Sequence, residues 1–204
     1  MSNKILTVGR QFGSGGYDIA KYISDKLSMS FYDKELIKES SKNSGLCEEV
    51  FHDFDERPTN SFLYSLVMDP YSAIGFHSGT MDMPLNHKVF LASFDTIKAI
   101  ADKESAVFVG RCADYALENR DNVLRVFIYA DLPDRIKRVA ERLDIDESKA
   151  KDVIAKNDKQ RSSYYNYYTT KKWGAISSYD LCINSSLLGI EKTAEYIISI
   201  LNEM

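Results

Sequence analysis

The stretch GRQFGSGG, residues 9–16, puts three glycines, Gly13, Gly15 and Gly16, within four positions between an apolar run and a helical pattern. Glycines at a strand-to-helix turn let backbone N–H groups close around a phosphate, and the helix N-terminus behind them favours negative charge. Phe12, Gly13, Ser14, Gly15, Gly16 and Tyr17 are therefore the candidate anion-binding residues. The standard phosphate loop runs Gly, four residues, Gly, Lys, then Ser or Thr. With Gly15 as the last loop glycine, Gly16 stands at the lysine position, and Tyr17 or Asp18 stands where the magnesium-binding hydroxyl belongs. A phosphate held here needs positive charge from elsewhere, and Arg10, Lys21, Arg111, Lys159 and Arg161 are the candidates. Glycines alone are equally consistent with a plain structural turn.

The elements around the loop argue for the phosphate reading. KILTVGR is an apolar run of strand length ending at the loop. Ile19, Ile23 and Leu27 follow at i, i+4 and i+8, which predicts a helix from about residue 16 to 27. MSFYD (29–33) reads as a second strand ending on Asp33, SAVFVGR (105–111) and NVLRVFIYA (122–130) as further strands, and YDLCIN (179–184) as the last. Strand, glycine turn, helix and strand in that order open a parallel α/β sheet, whose functional groups gather at the C-terminal strand ends. Arg10, Asp33, Gly110-Arg111 and Asn184-Ser185-Ser186 all fall at such ends. A helix is expected at about 86–102, a charged helical stretch from Asp131 to Arg161, and a final helix at 189–202. The segment SSYYNYYTTKKWG has no clean period. Residues 34 to about 85, punctuated by Pro58, Pro70 and Pro84, read as an insertion.

Bulk properties limit the function classes. The chain has 204 residues, 44% of them hydrophobic and 27% charged, and this suits an ordinary globular α/β domain. A net charge of −4 argues against a broad nucleic-acid footprint, while leaving room for a local basic pocket. Cys47, Cys112 and Cys182 are scattered and odd in number, so neither a zinc site nor a disulfide framework is expected. No apolar run reaches the roughly 18 residues that span a bilayer, and MSNKILTVGR lacks a signal-peptide core. The expectation is a cytoplasmic protein without nucleic-acid or membrane partners.

Taken together, ILTVGRQFGSGG, FYDKELI, VFVGRCADY, LRVFIYA, DKQRSSYYNYYTTKKWG and YDLCINSS resemble the cytidylate kinase-like family, the divergent cytidylate kinase 2 branch of P-loop nucleoside monophosphate kinases. The resemblance covers about residues 4–202. It implies a P-loop NTPase-type parallel sheet flanked by helices, with a helical acceptor-binding insertion and a helical lid. The chain 1–204 is then one kinase-like domain, with its core at 1–33 and 101–204, the insertion at about 34–100 and the lid at about 132–175. The implied activity moves the γ-phosphoryl group of ATP, with Mg²⁺, to a small nucleotide such as CMP. Residue by residue, Arg10 to Gly16 matches the phosphate loop, with glycine at the lysine position a departure from true cytidylate kinases. Asp33 matches the acid near the acceptor phosphate and the metal. Arg111 resembles the arginine that clamps the acceptor phosphate, and Asp158 and Arg161 resemble the Asp-x-x-Arg of the lid.

Plainer roles stay open for each. Arg111 could pair with an acid at a strand end, and Asp158 with Arg161 as an i, i+3 helix pair. Asp33 could cap the helix KELIKES. Tyr164, Tyr165, Tyr167, Tyr168 and Trp173 could stack a base or simply pack. His52, His77 and His87 show no ligand spacing. The apolar pieces SFLYSLVM and YSAIGF suit a homodimer partner as well as a lid. A nucleotide-binding regulatory module with little turnover is the alternative function, favoured by Gly16 and Tyr17.

Overall fold

A computed structural model describes residues 3–33, 35–44 and 85–204. In chain order these form β1 (Ile5–Arg10), α1 (Gly16–Leu27), β2 (Ser30–Tyr32), α2 (Glu35–Ser44), α3 (Leu85–Lys103) and β3 (Ala106–Val109). They continue with α4 (Ala113–Ala116), β4 (Val123–Tyr129), α5 (Leu132–Leu143), α6 (Glu147–Tyr168), β5 (Leu181–Asn184) and α7 (Ser185–Glu203). The five strands form one parallel sheet in the order β2-β3-β1-β4-β5.

β1 is central, with Ile5 level with Ala106 of β3 on one side and Val123 of β4 on the other. The chain crosses to one side of β1 for β2 and β3, and to the other for β4 and β5. The crevice at such a switch point, beyond the carboxyl end of the strand, is where open α/β sheets bind ligands. The glycine loop occupies that position.

Alternation along β1 fills both faces of the sheet. Leu6 and Val8 join Ile19 and Ile23 of α1 and Ile197 and Leu201 of α7 in one apolar layer. Ile5 faces the opposite way, with Leu36 of α2, Ile97 and Ile100 of α3, Phe108 and Leu117. All these residues except Ile100 are essentially inaccessible, so β1 is a rigid stem for the loop.

The structure differs from the sequence reading in several places, and β2 stops at Tyr32, before Asp33, while β5 starts only at Leu181. The charged stretch after β4 is two helices. Asp144 turns left-handed (φ 51°) to end α5, and the Asp146 side chain accepts the Lys149 N–H at 2.9 Å to start α6. The aperiodic tyrosine segment is helical through Tyr168, and its period is lost because Tyr164, Tyr165 and Tyr168 pack with Phe90 and Phe127, on different neighbours. β3 stops at Val109, before Gly110 and Arg111. Finally, the last helix begins at Ser185, where Asn184 caps it by accepting the Ser186 N–H at 3.0 Å, and Gly189 is a break inside it. Within the insertion, α2 and α3 pack together. SFLYSLVM, YSAIGF, Cys47, His52 and His77 lie outside the described residues.

Candidate functional site

The loop is held open by groups outside it. Gly13 and Gly15 are left-handed (φ 78° and 77°), a conformation that costs other residues about 1–2 kcal/mol. A β-carbon on Gly13 would lie 2.8 Å from Val139 Cγ2 and 2.9 Å from the Arg135 carbonyl oxygen, so the loop lies directly on α5. Arg135 Nε donates to the Phe12 carbonyl at 2.8 Å, Arg138 Nη1 to that of Gly13 at 3.3 Å, and Ser185 Oγ to that of Ser14 at 2.6 Å. A trans peptide points its C=O and the next N–H in opposite directions. With the Phe12 and Ser14 carbonyls bound from outside, the amides of Gly13 and Gly15 point away from those donors.

Asp158 belongs to this support. Its Oδ1 accepts the Phe12 N–H at 2.7 Å and its Oδ2 pairs with Arg135 Nη2. The carboxylate thus ties α6, α5 and the loop together. The Phe12 amide, expected in the phosphate cradle, is bonded to Asp158. Ser14 is buried, donating its hydroxyl to the Gln11 carbonyl at 2.9 Å and accepting the Gly16 N–H at 3.3 Å.

In front of the loop lies a cleft of about 400 Å³, lined by Arg10, Gln11, Phe12, Gly13, Gly15, Gly16, Tyr17, Asp18, Asp33, Arg142 and Arg161. Arg10, the last residue of β1, approaches Asp33 at 3.8 Å, both side chains being nearly buried. The Arg142 and Arg161 guanidinium groups both lie over the Phe12 ring, 5.2 and 5.4 Å from its centre, and Arg161 Nη1 donates to the Arg10 carbonyl at 3.3 Å. Asp18 and Asp33 bring carboxylate to the same cleft. Tyr17, at the hydroxyl position of the standard loop, rests edge-on against Phe31.

Arg111 sits in an adjoining narrow pocket with Gly110, Cys112, Asp114, Tyr165, Trp173 and Tyr179, and Arg10 and Arg161 line this pocket too. The two arginines therefore stand where the loop cleft meets the Arg111 pocket. Gly110, Arg111 and Cys112 are three consecutive left-handed residues (φ 77°, 57° and 55°). Such strain at non-glycine residues persists only where surrounding structure enforces it. Here the Tyr165 hydroxyl donates to Asp114 at 2.6 Å beneath the turn. Burial drives the Asp114 carboxyl above the usual carboxylate range, and burial together with the Asp114 charge drives the Tyr165 and Tyr179 hydroxyls up.

Of the sequence-predicted residues, Arg10, Phe12, Gly13, Gly15, Gly16, Tyr17, Asp33 and Arg161 meet in one cleft, with Ser14 buried behind them and Arg111 next door. Lys21 is turned away, paired with Asp25 at 2.6 Å, and Lys159 is exposed on α6. Ser185 and Asn184 are supports, Asn184 Nδ2 donating to Asp131 at 3.0 Å. The tyrosines of α6 pack, apart from the exposed Tyr167. Sequence reasoning missed Arg135, Arg138 and Arg142. Their spacing, i, i+3 and i+7 on the helix after β4, places them on one stripe, a signal that a generally charged helix conceals. Among the described residues no cluster of three or more metal-ligating side chains is present, and no helix is long and apolar enough to cross a membrane.

Comparison with known proteins agrees with this geometry. The chain is 22% identical over 201 residues to a cytidylate kinase of Thermoplasma acidophilum, covering 98% of this chain and 93% of that protein. Among solved structures it is similar to an uncharacterized protein from Eubacterium ventriosum, 28% identical with a TM-score of 0.74, covering 99% of this chain and all of that one. Shikimate kinase from Bacteroides thetaiotaomicron shares the fold, at 14% identity and a TM-score of 0.54 over 98% of each chain. A parallel sheet of P-loop kinase type thus carries the loop. The model of the cytidylate kinase-like family matches residues 5–187, and the chain belongs to that family.

Proposed function

We propose that this protein transfers the γ-phosphoryl group of ATP to a small acceptor, a nucleoside monophosphate of the CMP class. The observation that carries the reading is that Arg10 and Arg161 line both the loop cleft and the Arg111 pocket. Phosphoryl transfer demands mainly that two phosphates be held in line while their charge is neutralised. The Gly13 and Gly15 amides bind the β-phosphate of the donor, while the Ser14 and Gly16 N–H groups are held inside the loop by the Gln11 carbonyl and Ser14 Oγ. Arg111 anchors the phosphate of the acceptor, and Arg10 and Arg161 neutralise the group in transit. An oxygen of the acceptor phosphate bonds to the γ-phosphorus as the bond from that phosphorus to the β–γ bridging oxygen breaks, and ADP leaves. Asp158 acts through the loop as a positioning residue. Asp33, with Asp18 lining the same cleft, would hold Mg²⁺ through waters, as suits a cation that keeps much of its hydration shell. When bound, that ion neutralises phosphate oxygens.

The test is transfer from ATP to a panel of nucleoside monophosphates, with Arg161→Ala alongside. Loss of one preorganised donor to the transition state costs about 10²–10³ in kcat, and that is the expected drop. No turnover with any acceptor, despite ATP binding, overturns the reading. It would favour the alternative, a nucleotide-binding regulatory module, for which Gly16 and Tyr17 at the lysine and hydroxyl positions speak.

A further inference from the structure

We infer that Arg10 and Gly16 are a reciprocal pair: the phosphate-loop cation has moved from the first turn of α1 to the last residue of β1, and Gly16 is glycine because Arg10 is arginine. The inference rests on the phosphotransfer reading above and names which cation replaces the lysine.

Counting back from Gly15, the standard spacing puts the loop's first glycine at position 10 and its lysine at position 16. This chain has arginine at the first and glycine at the second, the opposite assignment of side chain and no side chain. The geometry makes the two choices dependent. A β-carbon on residue 16 would lie 2.6 Å from Arg10 Cβ, closer than side chains tolerate, with Arg10 Cγ at 3.3 Å. Its next neighbour, Ile128 Cβ at 3.3 Å, would need only a small adjustment. Side chains at 10 and 16 therefore exclude one another.

Backbone conformation does not explain the glycine. Gly16 is the first residue of α1, and unlike Gly13 and Gly15 it has no left-handed φ. Glycine inside a helix is disfavoured relative to alanine, so the position gains nothing from it locally. What it gains is room for Arg10, whose side chain is 11% exposed, lines both cavities and is steadied by Asp33 at 3.8 Å. A guanidinium fork can grip two phosphate oxygens at once, where a lysine offers a point charge.

The experiment is a four-protein cycle of wild type, Arg10→Gly, Gly16→Lys and Arg10→Gly/Gly16→Lys, read by Mg²⁺-ATP affinity, thermal stability and turnover. Each single variant is expected to bind ATP about ten- to hundredfold more weakly, the loss of one charge-assisted phosphate contact. The double variant is expected to return to within about threefold of wild type, a strong non-additivity. A double variant no tighter than the weaker single overturns the pairing. Should Gly16→Lys fail to fold, Gly16→Ala and Arg10→Gly/Gly16→Ala decide the steric half. The first is expected to melt below wild type and the second to regain the loss; a Gly16→Ala protein as stable as wild type with full ATP affinity refutes it. Because affinity is read apart from turnover, failure of the pairing and failure of the phosphotransfer reading are distinguishable. Coupled binding without transfer to any acceptor sinks only the second.

Discussion

The loop cleft and the Arg111 pocket lie on either side of Arg10 and Arg161, and they are built by opposite means. On the loop side the cleft is walled by glycine-rich backbone, held in place by side chains that do not line it: Arg135, Arg138, Asp158 and Ser185 all act from behind. On the Arg111 side a single side chain stands out, carried on a strained turn that rests on the buried Asp114–Tyr165 pair. The first design tolerates little change in the loop and depends on its supports. The second concentrates its constraint in one buried acid. Under the proposed phosphotransfer, the donor takes the rigid cradle and the acceptor takes the Arg111 pocket.

The largest expected effect breaks the loop side. Gly13→Ala requires a left-handed alanine, at about 1–2 kcal/mol, and places a β-carbon 2.8 Å from Val139 Cγ2 and 2.9 Å from the Arg135 carbonyl. Overpacking of this kind adds about 1–3 kcal/mol. Chemical denaturation should show a loss of about 2–5 kcal/mol by the sum of these terms, and Mg²⁺-ATP binding should fall with it. A Gly13→Ala protein of wild-type stability would show that the loop is free of α5, and the contrast between the two sides would collapse.

How far each side was legible in the sequence follows from the same contrast. The loop announces itself, because a left-handed backbone favours glycine and three glycines within four positions are visible in the chain. β1, α1 and the polar strand ends were readable from apolar runs and helical spacing, and the helix at 16–27 has those bounds in the structure. The supports were hidden. Arg135 and Arg138 look like any charged helix face until α5 is seen against the loop, and the bond from the Phe12 amide to the Asp158 carboxylate joins residues 146 positions apart. Asp114 and Tyr165 are 51 residues apart and no local pattern joins them. The tyrosine helix escaped the periodicity test because packing on more than one face erases a single-face period.

A second, intermediate effect sharpens the Arg111 side. The folded protein raises the Asp114 carboxyl above its ordinary value, chiefly by burial. For an acid shifted upward, the stabilising contribution is complete below the ordinary carboxylate range and is lost as pH rises through the folded value. Asp114→Asn keeps an oxygen to accept the Tyr165 hydroxyl but cannot ionise. Its melting temperature is expected to gain on wild type as pH is raised from acid to neutral, the two converging at low pH. A wild type that gains on the variant over that range would mean that the charged acid is favoured in place, by Lys171 and Tyr165, over its desolvation.

The smallest expected effect marks where the loop side ends. Lys21 is one of the five cations that the sequence offered as substitutes for the missing lysine, yet it is about half exposed and paired with Asp25 at 2.6 Å, four residues on along α1. An exposed helix pair of this spacing contributes about 0.3–0.5 kcal/mol, and it is screened by salt. Lys21→Ala should therefore lower stability by no more than that and leave both Mg²⁺-ATP affinity and turnover unchanged. The contrast is with Arg10: both are basic residues close to the loop in sequence, but Arg10 ends β1 and lines the cleft while Lys21 lies on α1 and pairs with Asp25. A drop in ATP affinity from Lys21→Ala comparable to that of Arg10→Gly would mean that charge near the loop suffices, wherever it is held. An unchanged affinity would mean that position, set by the end of β1, decides which cation meets the phosphate.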